Sequence, residues 1–209
     1  MIALVDYGAG NLTSVRKALA ALEADVVVPR TVDQLAIATG IIVPGVGHFD
    51  RTSAIDASWR DAIRAAVDRG AALFGICLGM QWLFEGSDEA PELRGFGAFR
   101  GTCAKLTPTS PTSPTRPTRL KVPHVGWNSL ETPRASDLMR DVPGGAQVYF
   151  THSFAAPVVA ETAATTTYGS TFTAAVAHGR IAGVQFHPEK SGDVGLRILR
   201  NWLVVNTKL

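Results

Sequence analysis

Cys77 stands in the segment "FGICLGMQ", residues 74 to 81, between Gly75 and Gly79 and at the end of an apolar run. A core cysteine needs neither glycine, and each costs backbone entropy. A G-x-C-x-G pattern at a strand-to-helix turn is one that presents a nucleophile at the edge of a sheet, with glycines relieving the crowding. The sulfur then lies at a helix N-terminus, whose dipole favours thiolate over thiol. The N–H of Leu78 points toward any carbonyl that the sulfur attacks. A thiolate needs a proton carrier with an orienting group. Among five histidines, His187 stands in "VQFHPEKS" at the end of a strand-like run. Glu189, two residues on, shares its face in extended chain, where it can hold the imidazole tautomer and stabilise the charged form. Each motif alone has a bland alternative: a small buried cysteine in a tight turn, or a solvated glutamate after a strand. Together they read as a nucleophile, a base and its orienter.

The remaining motifs divide by what they lack. "DYGAGN" begins like a dinucleotide fingerprint, but no third glycine and no Walker lysine follow. "PGVGHF" follows an apolar run and reads as a turn; if it faces Cys77, its amides complete an oxyanion hole. Gln81 and Glu85 lie about one and two helical turns beyond Cys77. Gln81 reads as pocket lining and Glu85 as a pocket residue or a solvated one. His48, His124 and His152 have no metal-ligand spacing and read as structural or interfacial.

These groups need elements to hold them. "IALVD", "DVVVP", "GIIVPG" and "AALFGI" are short apolar runs, and Leu12, Val15, Leu19 and Leu22 repeat at helical spacing between the first two. A short helical piece is expected around Asp33–Ala38, and Trp59, Ala62, Ile63, Ala66 and Val67 mark another helix. Alternation of continuous apolar strands with helices predicts an α/β fold, its parallel sheet covered on both faces. The loops "DYGAGN", "PGVGHF" and "CLGMQ" then share one edge. From about residue 98 the runs "AQVYF", "APVVAET", "TFTAAVAH" and "RIAGVQF" suggest antiparallel strands. Gly195, Ile198, Leu199, Trp202 and Leu203 predict a last helix. Residues 107 to 118, rich in proline and threonine, read as a flexible loop that cannot bury a core.

The chain of 209 residues is 46% hydrophobic and 18% charged, which fits one domain spanning 1–209. A net charge of +2, with no run of like charges, gives no support for nucleic acid or a membrane surface as partner. No apolar stretch reaches the roughly 18 residues of a membrane helix, and the N-terminus lacks signal-peptide features. Two cysteines far apart predict neither a disulfide framework nor a zinc site. No metal or cofactor is expected, and a cytoplasmic location is.

"GICLGMQ" with "FHPE" resembles the class I glutamine amidotransferase family, and "DYGAGN", "PGVGHF", "VPHVGWN", "YFTHSF" and "QFHPEKS" extend the resemblance nearly end to end. They are most similar to family members that feed ammonia to a partner cyclase in histidine biosynthesis. The resemblance implies a flavodoxin-like α/β fold with a smaller antiparallel strand region. It also implies a Cys77–His187–Glu189 triad that hydrolyses glutamine to glutamate and ammonia. Val46 and Leu78 would supply the oxyanion-hole amides. Gly47, Gln81, Glu85, Ser153 and Phe154 would surround the substrate. Asn11, Pro123, Trp127 and Lys190 would meet the cyclase, a TIM barrel, in a heterodimer whose products are imidazole glycerol phosphate and an aminoimidazole carboxamide ribonucleotide. His48 and Val125 depart from the family pattern, which has a small residue and methionine there. Two rival readings are a glutaminase serving another synthase, such as that of pyridoxal phosphate, and an idle subunit that keeps only the fold.

Overall fold

The computed structural model describes residues 1–107, 120–131 and 134–206. The Pro/Thr-rich stretch at 107–118 therefore lies, apart from Thr107, outside the described residues. A seven-stranded sheet forms the centre. Its parallel part comprises β1 (Ile2–Leu4), β2 (Val26–Val27), β3 (Gly40–Val43) and β4 (Ala72–Ile76). Between them run α1 (Leu12–Ala20) and α2 (Ala57–Asp68), and α3 (Leu78–Leu83) follows β4 directly. Side-chain alternation splits the core in two. Ile2, Leu4, Ile42 and Phe74 pack with Val15 and Leu19 of α1 on one face. Ala3, Val5, Ile41, Val43 and Leu73 pack with Ile63 of α2 and Met80 and Leu83 of α3 on the other. A parallel sheet buried on both faces has this pattern, which explains why its strands are apolar throughout.

The second half adds β5 (Gly86–Ser87), β6 (Thr102–Lys105), β7 (His124–Ser129), β8 (Gln147–His152) and β9 (Phe154–Ala155), then β10 (Thr162–Tyr168), β11 (Ser170–His178) and β12 (Ile181–Val184). The last helix, α4 (Gly192–Asn206), lays Ile198, Leu199 and Trp202 on the α1 side of the sheet. The main sheet has the order β10-β11-β12-β4-β3-β1-β2. β11 pairs antiparallel with both β10 and β12, and β7 pairs with β8 antiparallel. Three expectations need correction. "RIAGVQF" yields β12, which is antiparallel to β11 as expected but pairs parallel with β4 along its other edge. "APVVAET" forms no strand until Thr162: Pro157 has no N–H to give, and Val158 is exposed. "DVVVP" forms a two-residue edge strand, half-buried rather than buried. Among the described residues no helix is long and apolar enough to cross a membrane.

Candidate active site

Neighbouring parallel strands end at the same edge, so β4 and β12 bring the residues after them together. Cys77 follows β4 directly, and its amide donates to the Val184 carbonyl at 2.8 Å, the last residue of β12. His187 lies three residues beyond that point, and its amide donates to the Tyr149 carbonyl of β8 at 2.8 Å. Cys77 adopts φ 52° and ψ −105°, a left-handed conformation that costs a side-chain-bearing residue about 1–3 kcal/mol. The flanking glycines serve packing. A Cβ on Gly75 would come within 2.6 Å of the Gly79 backbone, and one on Gly79 within 1.7 Å of the Val43 carbonyl. Their absence lets α3 fold back onto β3 and β4 while the turn holds the buried sulfur at the end of β4.

His187 Nδ1 lies 2.8 Å from Glu189 Oε1, with both side chains 2% exposed. Its Nε2 is buried and makes no hydrogen bond of normal geometry. Burial by itself disfavours a charged imidazole and is the largest single influence on it. The charge of Cys77 first, then the hydrogen bond to Glu189 and that carboxylate's charge, outweigh burial and push the His187 pKa up to about 10. The thiol also touches the Thr151 carbonyl at 3.8 Å and receives Gln185 Nε2 at 3.7 Å. Tyr7, whose hydroxyl is buried against Gly45, has its pKa raised by burial and then by Cys77.

Cys77 opens into a cavity of about 240 Å³ lined by Gly47, Leu78, Gln81, Glu89, Thr151, His152, Ser153 and Phe154, with Pro123 at one side. That is smaller than the roughly 300–1,000 Å³ of drug-sized sites and suits one amino acid. Gln81 is fixed by bonds from Nε2 to the Phe154 carbonyl (2.8 Å) and to Gln185 Oε1 (3.2 Å). Gly47, Gln81, Ser153 and Phe154 all line the cavity beside Cys77. Glu85 does not: it is exposed, and its carboxylate accepts the Gly101 N–H at 2.8 Å. The carboxylate that lines the cavity is Glu89, which sequence reasoning missed. Gln185 was also missed, although it shares the face of His187 two residues on. His48 faces Asp50 at 3.1 Å and is half-exposed, outside the cavity.

The two expected oxyanion donors are not both free. Leu78 N–H donates to the Gly45 carbonyl at 3.3 Å. That carbonyl belongs to the same trans peptide as the Val46 N–H, which therefore points away from Leu78. Of the expected contact residues, Trp127 is 57% exposed and its ring lies 6.1 Å from that of Tyr149. Lys190 Nζ lies 5.7 Å over the same ring. Asn11 caps α1 by accepting the Ser14 N–H, and Val125 is exposed on β7.

Residues 3–206 match the family model described as glutamine amidotransferase class-I. The chain belongs to this family. Among curated relatives of this amidotransferase, a Halobacterium salinarum protein is 44% identical, with 97% of this chain and 92% of the relative covered. One from Geobacillus kaustophilus is 42% identical, with 99% and 98% covered. Both are named imidazole glycerol phosphate synthase subunit HisH. A crystal structure of a glutamine amidotransferase superposes with a TM-score of 0.73 at 21% identity, covering 99% of each chain, and so shows the shared fold. The amidotransferase fold accounts for the juxtaposition of β4 and β12 on which the Cys77–His187 contact depends.

Proposed function

We propose that this amidotransferase, as one domain over residues 1–209, is the glutaminase subunit of imidazole glycerol phosphate synthase. The observation that carries the chemistry is Cys77 at the elbow beside His187, whose far nitrogen is held by Glu189. Cys77 Sγ attacks the side-chain amide carbon of glutamine, and the His187 imidazolium gives its proton to the departing nitrogen. Ammonia leaves. Water, deprotonated by His187, then opens the γ-glutamyl thioester to glutamate and regenerates the thiolate. Glu89 suits the α-ammonium of the substrate, and the Ser153–Phe154 backbone its α-carboxylate. Turnover requires the Gly45 carbonyl to release Leu78, so that Leu78 and Val46 amides can both meet the oxyanion.

The partner is a cyclase barrel, bound as a heterodimer across a face bearing Asn11, Pro123, Trp127 and Lys190, in the cytoplasm. It uses the ammonia to form imidazole glycerol phosphate and an aminoimidazole carboxamide ribonucleotide. The near full-length likeness to subunits of that name supports this assignment. Glutamate release from glutamine is measured with and without the cyclase and its ribulosyl substrate. Stimulation is expected in the wild type. Cys77→Ala should lose on the order of 10⁶ in kcat, while its complex still uses free ammonia. Substantial residual glutaminase in that variant would sink the assignment.

A further inference from the structure

Two histidines that the hydrolysis does not use lie beside it. His124 opens β7, His152 ends β8, and the strand register pairs them directly. Both are buried, and His152 lines the Cys77 cavity. Their hydrogen bonds fix every proton. His152 Nδ1 is 2.9 Å from the Phe154 carbonyl, which can only accept, so Nδ1 carries the hydrogen. Burial lowers the His152 pKa to about 3, so its ring is neutral and Nε2 is an acceptor. His124 Nδ1, 3.1 Å away, is then the donor. Burial lowers His124 to about 4, and its Nε2 accepts from Asn128 Nδ2 at 3.4 Å. Asn128 cannot flip, because Nδ2 also donates to the Thr167 carbonyl at 3.2 Å and Oδ1 accepts the Ser129 N–H at 2.8 Å.

The chain therefore runs one way, from Asn128 through His124 and His152 to Phe154. Its end matters, because the Phe154 carbonyl also accepts from Gln81, which holds Gln185 against the Cys77 sulfur. His124 is in turn braced by Phe150 and Tyr168, with ring centroids at 4.9 and 4.0 Å. We propose that His152, oriented by His124, is a positioning residue for the amino-acid substrate, pinning the Phe154 carbonyl so that Ser153, Phe154 and Gln81 keep their places around the cavity. This rests on the glutaminase reading above. Protonating either ring would set two N–H groups face to face, so the relay works with both rings neutral.

The side-chain amide of asparagine can put a donor near the Nδ1 position, whereas that of glutamine puts it near Nε2. The variants His152→Asn, His152→Gln and His124→Phe are assayed as full chains with the cyclase. His152→Asn should keep KM for glutamine within about twofold of wild type. His152→Gln and His124→Phe should raise it about tenfold, the scale of one buried hydrogen bond, with a smaller change in kcat. Equal KM values for the Asn and Gln variants, or an unchanged KM in both Gln and Phe variants, would overturn the proposal. Imidazole nitrogen shifts of the wild-type chain test it without any variant: both rings should carry hydrogen on Nδ1, and an Nε2–H tautomer at His152 overturns it. A wild-type complex that releases no glutamate would instead overturn the glutaminase reading, and the tautomers would still be read the same way.

Discussion

His187 sits between Glu189 on Nδ1 and Cys77 on the side of Nε2, and its raised pKa depends on both. Removing the sulfur in Cys77→Ala should therefore lower the His187 pKa from about 10, as followed by imidazole NMR titration. The stability that this pair contributes follows the same sign. A pKa raised above the ordinary value of 6.5 gives a contribution fully present below that pH and lost as pH rises through about 10. Urea midpoints of the wild type should fall across that window, and fall less in Cys77→Ala. The carboxylates make a second pair for comparison. Glu89→Gln should raise KM for glutamine about tenfold or more, since a charged partner is typically worth about 1.5–3 kcal/mol. Glu85→Gln should leave KM unchanged, because Glu85 holds the Gly101 amide outside the cavity.

Why the cavity received Glu89 and not Glu85 is decided by the length of α3. Helical spacing from Cys77 carries Glu85 to the second turn, but the helix stops at Leu83. Its last carbonyls are taken by another segment: Gly97 N–H bonds the Phe84 carbonyl at 3.1 Å, and Ala98 N–H the Leu83 carbonyl at 2.8 Å. Gly95 packs so closely there that a Cβ would fall 1.9 Å from the Phe84 carbonyl. No local signal in "LGMQWLFEG" announces this stop, because the groups that impose it lie more than ten residues downstream. The start of the same helix was legible, since Gly75, Cys77 and Gly79 mark the elbow in consecutive residues. Gly79→Ala tests that turn. Its methyl would meet the Val43 carbonyl of a neighbouring strand, so stability should fall by about 3 kcal/mol, read from the urea midpoint.

Across the whole molecule, Trp127 of β7 and Lys190 after β12 both reach the ring of Tyr149 on β8, which makes one aromatic and cationic patch on the face proposed for the cyclase. Trp127→Ala should weaken association by about 2 kcal/mol or more, as an anchor at an interface centre does. Titration with the cyclase, scored for affinity and stimulation separately, checks it; a folded variant that binds and responds as wild type places the docking face elsewhere. The sequence by itself determined the chemistry on offer and the layered architecture. The identities of Cys77, His187 and Glu189, and the apolar runs alternating with helical stripes, are properties of neighbouring residues and survive in any local reading. Only the tertiary structure decided that β12 lies parallel beside β4, that Glu89 reaches the cavity, and that the Gly45 carbonyl occupies Leu78. Each of those depends on which distant backbone group supplies a hydrogen-bond partner, and that choice is made by the packing of the assembled chain.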